Sequence, residues 1–97
     1  MDEYKIKVTR QAKEHLALIR EYIATELQAP IVAKRMLELL KSEMMSLQTM
    51  PYCVKLISEQ PWCELGFRRI RVKNYYVYFC VDESGKEVQI LAVIYVR

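Results

Sequence analysis

The chain has 97 residues, 53% of them hydrophobic, and its 15 Lys and Arg against 12 Asp and Glu leave a net charge of +3. The apolar fraction excludes a disordered chain. The length admits one domain with one two-layer core, burying roughly 65% of the unfolded surface, and so small an excess of charge does not by itself require a polyanionic partner.

Tyr4, Ile6 and Val8 alternate with Lys5 and Lys7, so residues 3–8 read as a strand with one buried face. Thr9 can cap a helix that begins at Arg10. Over residues 10–27, Ala12, Leu16, Ile19, Ile23 and Leu27 recur at helical spacing and predict an amphipathic helix, with Lys13, Arg20, Glu21 and Glu26 on its wet side. Pro30 ends that pattern and suits the first turn of a second helix over residues 31–48, whose apolar stripe includes Ala33, Met36, Leu37, Leu40, Met44 and Leu47. The short joint implies an antiparallel helical hairpin.

Residues 50–65 are the least regular, broken by Pro51 and Pro61, with a short strand expected near residues 53–57. Strands are then predicted over residues 67–73, 75–82 and 88–96, the last two joined by a turn in which Gly85 is free to take positive φ. The last strand carries apolar residues on both faces, Val88, Ile90, Ala92, Ile94 and Val96 against Leu91, Val93 and Tyr95, which places it centrally. The order β-α-α-β-β-β predicts an α+β fold: a mainly antiparallel four-stranded sheet with the helical hairpin on one face.

The most informative stretch is GFRRIRVKNYYVYF, residues 66–79. Side chains at i and i+2 share a strand face, so Arg69, Arg71 and Lys73 form one row and Ile70 and Val72 face the core. Cations spaced about 6.6 Å apart can follow a phosphate backbone, with Arg68 adding charge. Tyr75, Tyr76 and Tyr78 could stack bases. A solvated edge strand whose charges deter sheet aggregation explains the same row. Tyr76 and Tyr78 share one face and Tyr75, Val77 and Phe79 the other, so one set belongs to the core.

Other chemistry has little support. His15 is the one histidine and reads as a boundary residue of the first helix. One His, scattered Cys and no clustered carboxylates match no metal-ligand pattern, and no cofactor is implied. Gly66 and Gly85 are too few for a phosphate-binding loop. Cys53, Cys63 and Cys80 show no C-x-x-C spacing and no disulfide framework, and Cys80 reads as a small core residue. Met1 is followed by Asp2, Glu3 and Tyr4, unlike a signal peptide, and the longest apolar run, residues 90–96, is far short of the ~20 residues that span a bilayer. A reduced cytoplasmic protein without a membrane partner is expected.

The order strand, helical hairpin, then G-x-R-R-hydrophobic-R-V-x-N-Y-x-V-x-[YF]-x-V-D-E and an apolar strand resembles the RelE/ParE superfamily of type II toxins. Its sharpest parts are residues 69–75 and Val81-Asp82-Glu83. The resemblance implies a small cytoplasmic toxin, active in growth inhibition and plasmid stabilisation, held in a hetero-oligomer by a cognate antitoxin that wraps an extended or helical segment around it. It leaves two targets open: mRNA cut at the ribosome, as by RelE-like members, or DNA gyrase poisoned without nuclease activity, as by ParE-like members. Arg69 and Arg71 fall where RelE-like toxins hold the scissile phosphate. Tyr76 stands where those toxins commonly have arginine, and Arg97 falls near a further basic position, which makes these four the catalytic candidates. Arg68, Lys73, Tyr75 and Tyr95 are the RNA- or phosphate-binding candidates. The tail that supplies a Tyr or His in many RelE-like members does not follow Arg97 in the sequence. Arginine can stabilise a phosphorane but cannot serve as the base. Glu59, Glu64, Tyr76 and Tyr95 are the candidates for that role. A non-enzymatic basic sheet that binds RNA or an acidic segment is the competing reading.

Overall fold

The computed structural model describes residues 3–49 and 51–96. Its strands are β1 (Lys5–Val8), β2 (Arg68–Val72), β3 (Tyr75–Asp82) and β4 (Glu87–Tyr95), and its two long helices are α1 (Arg10–Glu21) and α2 (Pro30–Met45). The four strands form one sheet in the order β1-β4-β3-β2. The fold is α+β, as the sequence predicts. Both hairpin pairings are antiparallel, and β1 adds a parallel pairing to β4. The parallel pair follows from connectivity, because α1 and α2 carry the chain back over one face before the hairpins form.

Thr9 caps α1, its hydroxyl accepting from the Ala12 N–H at 3.3 Å. The helix continues as a π-helical segment, Tyr22–Glu26, closed by the Leu27 N–H to the Tyr22 carbonyl at 3.2 Å. Gln28, at φ +50°, then reverses the chain. Pro30 occupies the first turn of α2, where its missing N–H costs nothing. The core lies between the hairpin and the sheet: Ala12, Leu40 and Met44 from the helices meet Val77, Phe79, Val88 and Ile90 from β3 and β4. Phe79, Leu40, Ile90, Val77 and Val88 are among the largest fully buried side chains.

Several expectations are corrected. Residues 53–57 form no strand. Pro51–Cys53 is a 3-10 turn, and a single bridge, Leu56 to Arg68, touches the β2 edge. Between β2 and β3 the chain reverses in a two-residue turn, Lys73-Asn74, with Lys73 at φ +55°. Lys73 therefore leaves the strand and the cation row shrinks to Arg69 and Arg71. In the β3–β4 turn Lys86, not Gly85, takes positive φ. Gly85 instead leaves room for the Asp82 carboxylate, since a Cβ there would lie 3.0 Å from Asp82 Oδ2.

β4 is central, as its two apolar faces predict, but its faces do not alternate throughout. Phe79 pairs with Ile90 and Tyr78 with Ala92, so Leu91 is an extra residue and the strand is bulged. Beyond the bulge Val93 is buried and Ile94 is exposed. The inward set is thus Val88, Ile90 and Val93, not Val88, Ile90, Ala92 and Ile94. A bulge disrupts the ladder locally, and α1 meets the donor at Val93, whose N–H donates to His15 Nδ1 at 3.1 Å. Thr9 holds the other side, its hydroxyl donating to the Ile90 carbonyl at 2.7 Å. The lone histidine is therefore a structural acceptor between helix and sheet.

Candidate functional site: the open face of the sheet

The register of β2 against β3 sorts the candidates. Arg69 lies opposite Tyr78 and Arg71 opposite Tyr76, and all four share the face turned away from the helices. The Arg69 guanidinium carbon sits 4.2 Å from the Tyr76 ring centre and 6.0 Å from that of Tyr78, and its Nη1 donates to the Tyr78 hydroxyl at 3.4 Å. The two rings meet edge to face at 6.1 Å. That hydrogen bond pushes the Arg69 pKa further above its ordinary value, so the residue is a fixed charge held in an aromatic cradle. Arg71 is exposed, and its Nε donates to the Lys73 carbonyl at 3.0 Å.

The other candidates lie elsewhere. Tyr75 is 7% exposed and part of the core, and its ring meets Tyr95 edge to face at 5.5 Å. Both tyrosines therefore sit on the helix side of the sheet, away from Arg69. Arg68, two residues before Ile70, also lies on that side. It donates to the Val54 carbonyl at 2.5 Å and lies 5.0 Å over the Tyr52 ring. Its Nε is buried without a hydrogen-bond partner. Arg68 thus holds the loop after α2 against the sheet. Lys73 is exposed in the turn, Glu64 is exposed on the loop before β2, and Arg97 lies outside the described residues. Glu59, exposed on that same loop, is the exception, since it lines the open-face groove with Arg69 and Tyr78. Cys80 is half-buried on the open face, its Sγ 3.7 Å from Gln89 Oε1, and burial pushes its thiol pKa up. All three cysteines are free.

A groove of about 670 Å³ crosses this open face. One end is the start of α1, with Arg10, and the other is the loop around Trp62. Leu91, Ala92 and Ile94 of β4 line it together with Arg69 and Tyr78. Trp62 stacks on Phe67 at 5.6 Å and stays 45% exposed. A second groove, of about 750 Å³, runs between α1 and α2. Among the described residues no group of three His, Cys, Asp or Glu could hold a metal ion, and no helix is long and apolar enough to cross a membrane.

A polar hub escaped the sequence reading. Glu83 accepts from Tyr4 Oη at 2.8 Å and Tyr52 Oη at 2.7 Å, and pairs with Lys86. The Lys86 ammonium, then the two phenols, pull the Glu83 pKa down to about 2. The bond to Glu83 pushes Tyr52 up to about 12. The hub ties the first strand, the loop after α2 and the β3–β4 turn together. Its only sequence trace is the V-D-E at residues 81–83, which says nothing of partners 31 and 79 residues distant.

A helical hairpin on one face of a mixed four-stranded sheet, with an arginine pair on the open face, makes a small two-layer α+β domain. Residues 6–97 match the ParE toxin of type II toxin–antitoxin systems, parDE, and the chain belongs to that family. A solved chain of the chromosomal ParDE toxin–antitoxin system of P. aeruginosa is 26% identical with a TM-score of 0.81, the match covering 98% of each chain. A chain of the RelBE2 toxin–antitoxin complex from Mycobacterium tuberculosis is 18% identical with a TM-score of 0.72, covering 98% of this chain and 93% of that one, and shares the fold. No curated protein sequence matches significantly.

Proposed function

We propose that this toxin arrests growth by binding a protein target, DNA gyrase, and that it does not cut RNA. The observation that carries this reading is the state of the two arginines on the open face. Arg69 is held against Tyr76 and Tyr78, and Arg71 donates one N–H to a backbone carbonyl, so each is fixed in place with donors to spare. Among the described residues no carboxylate or imidazole hydrogen-bonds to either, and Glu59, the one carboxylate that lines the groove with Arg69, sits exposed on the loop before β2. Cleavage by 2′-hydroxyl attack needs a base and an acid within about 3 Å of the groups they serve. The only His is engaged with Val93 on the helix side, and Tyr95 is on that side too. The match to ParE over residues 6–97 supports the same reading.

An antitoxin partner belongs to this proposal, since the solved relatives are toxin–antitoxin systems. The groove between α1 and α2 suits it, with an apolar floor that includes Leu16, Ala33 and Leu37 and a rim carrying Lys13, Arg20 and Lys41. Such a surface fits an acidic amphipathic helix.

Purified protein added to a gyrase supercoiling reaction and, in parallel, to a cell-free translation reaction tests the reading. Inhibited supercoiling with intact mRNA is the expected result. Arrested translation with cleaved mRNA, lost in Arg69→Ala with Arg71→Ala, would overturn it in favour of a ribosome-dependent nuclease.

A further inference from the structure

The groove on the open face is built from residues that the arginine row does not account for. Ile94 is 43% exposed and Trp62 45% exposed, and both line one depression. Surface apolar residues gathered into one concave patch mark an interaction site more often than scattered ones do. The patch is flanked by three arginines against two carboxylates: Arg10 at the α1 end, in an exposed pair with Glu14 at 3.6 Å, and Arg69 near β2, with Arg71 two residues along the same face, against Glu59. The groove runs across the strands. Three strand spacings make it about 14 Å wide, the length of about four extended residues.

We infer that this groove seats an extended, acidic segment of the target protein, about four residues long, whose apolar side chains fill the floor between Ile94 and Trp62. The inference rests on the reading of the chain as a toxin that binds a protein. The observations favour peptide over RNA for four reasons. Leu91, Ala92 and Ile94 offer phosphates no donor. Of the two β2 arginines only Arg69 lines the groove, and Arg10 at the α1 end is paired with Glu14 at 3.6 Å, so the cations within the groove form no closely spaced row that tracks a phosphate backbone. Glu59 on the wall repels a polyanion but leaves room for a few spaced carboxylates directed to the arginines. Phe67 also covers one face of Trp62, which limits that ring as a base-stacking platform. The arginines set orientation and encounter rate, and apolar burial supplies the affinity.

Trp62 is the only tryptophan in the chain and lines the groove, so its emission reports occupancy directly. Three probes of equal charge are titrated against the whole protein: a tryptophan-free peptide alternating Asp and Glu with Leu and Phe, one alternating Asp and Glu with Ser and Gly, and an oligouridylate. The Leu/Phe peptide is expected to blue-shift Trp62 saturably, at least tenfold tighter than either other probe. Ile94→Glu is expected to weaken it at least tenfold with the far-UV spectrum unchanged. If Ile94→Glu does not fold, Ile94→Ser carries the comparison. Equal or tighter binding of the oligouridylate, no saturable shift with the Leu/Phe peptide, or indifference to the Ile94 substitution would each overturn the inference.

The supercoiling assay separates the two readings. Peptide binding without gyrase inhibition by the wild type removes gyrase and keeps the groove. Gyrase inhibition that Ile94→Glu leaves intact removes the groove and keeps gyrase.

Discussion

The two faces of the sheet are made by the same strands yet obey different rules. On the helix side Val77, Phe79, Val88 and Ile90 are fully buried and pack against α1 and α2. On the open side Arg69, Tyr76 and Tyr78 form a cluster, with Ile94 exposed beside it. The first face is determined by packing, where each lost methylene is felt. The second is packed less tightly, with Arg69, Tyr76 and Tyr78 half-buried on one another. On the proposal above, stability and target binding fall on opposite sides of one layer.

The largest effect expected from testing that division is on the buried side. Phe79→Ala should cost about 3–5 kcal/mol by denaturant unfolding, a large share of the stability of a small domain. It should abolish toxicity only through unfolding. A smaller loss would mean that the helices collapse into the space.

Next comes the tie between helix and bulge. His15→Leu strands the Val93 N–H and should cost about 1–3 kcal/mol, with faster amide exchange around residues 91–93. Normal exchange there would show that the β4 bulge does not depend on α1.

Arg69→Ala on the open side should cost only about 0.5–1 kcal/mol, the worth of an exposed cation–π contact. The proposed target binding should lose association rate and salt dependence more than it loses affinity, read by stopped-flow emission of Trp62. A stability loss as large as that of Phe79→Ala would erase the division between faces.

The smallest effect concerns pH. Glu83 is depressed to about 2, so its contribution to stability is complete above the ordinary carboxylate range near 4.5 and is lost as pH falls through about 2. Tyr52 is raised to about 12, so its contribution is complete below about 10 and is lost as pH rises through about 12. Glu83→Gln should flatten both limbs of a melting-temperature profile and leave the neutral region lowered. An unchanged acid limb would show that the hub is already open in solution.

Much of this fold was legible because it is written in local periodicity. The spacing Ala12, Leu16, Ile19, Ile23 marks α1, and alternation in residues 68–72 places Arg69 and Arg71 on one face and Ile70 and Val72 on the other. The apolar character of β4 on both faces placed it inside the sheet, where it is. What failed was whatever depends on one extra residue or one turn. The Leu91 bulge exchanged Ala92 and Ile94 for Val93 on the buried side. The turn at Lys73 removed the third cation from the row. Arg68 was read with its neighbours, although strand alternation alone directs it to the other side.

The sequence by itself determined the elements, their order, the family and the pairing of Arg69 with Arg71, because helix and strand periods and capping residues act over a few positions. Only the tertiary structure decided that Arg69 lies on Tyr76, that His15 serves the β4 bulge, that Glu83 joins Tyr4 to Tyr52, and that Trp62 and Ile94 face one groove. Each of these contacts joins residues brought together by sheet register and loop path, and a single-residue shift in either would break it.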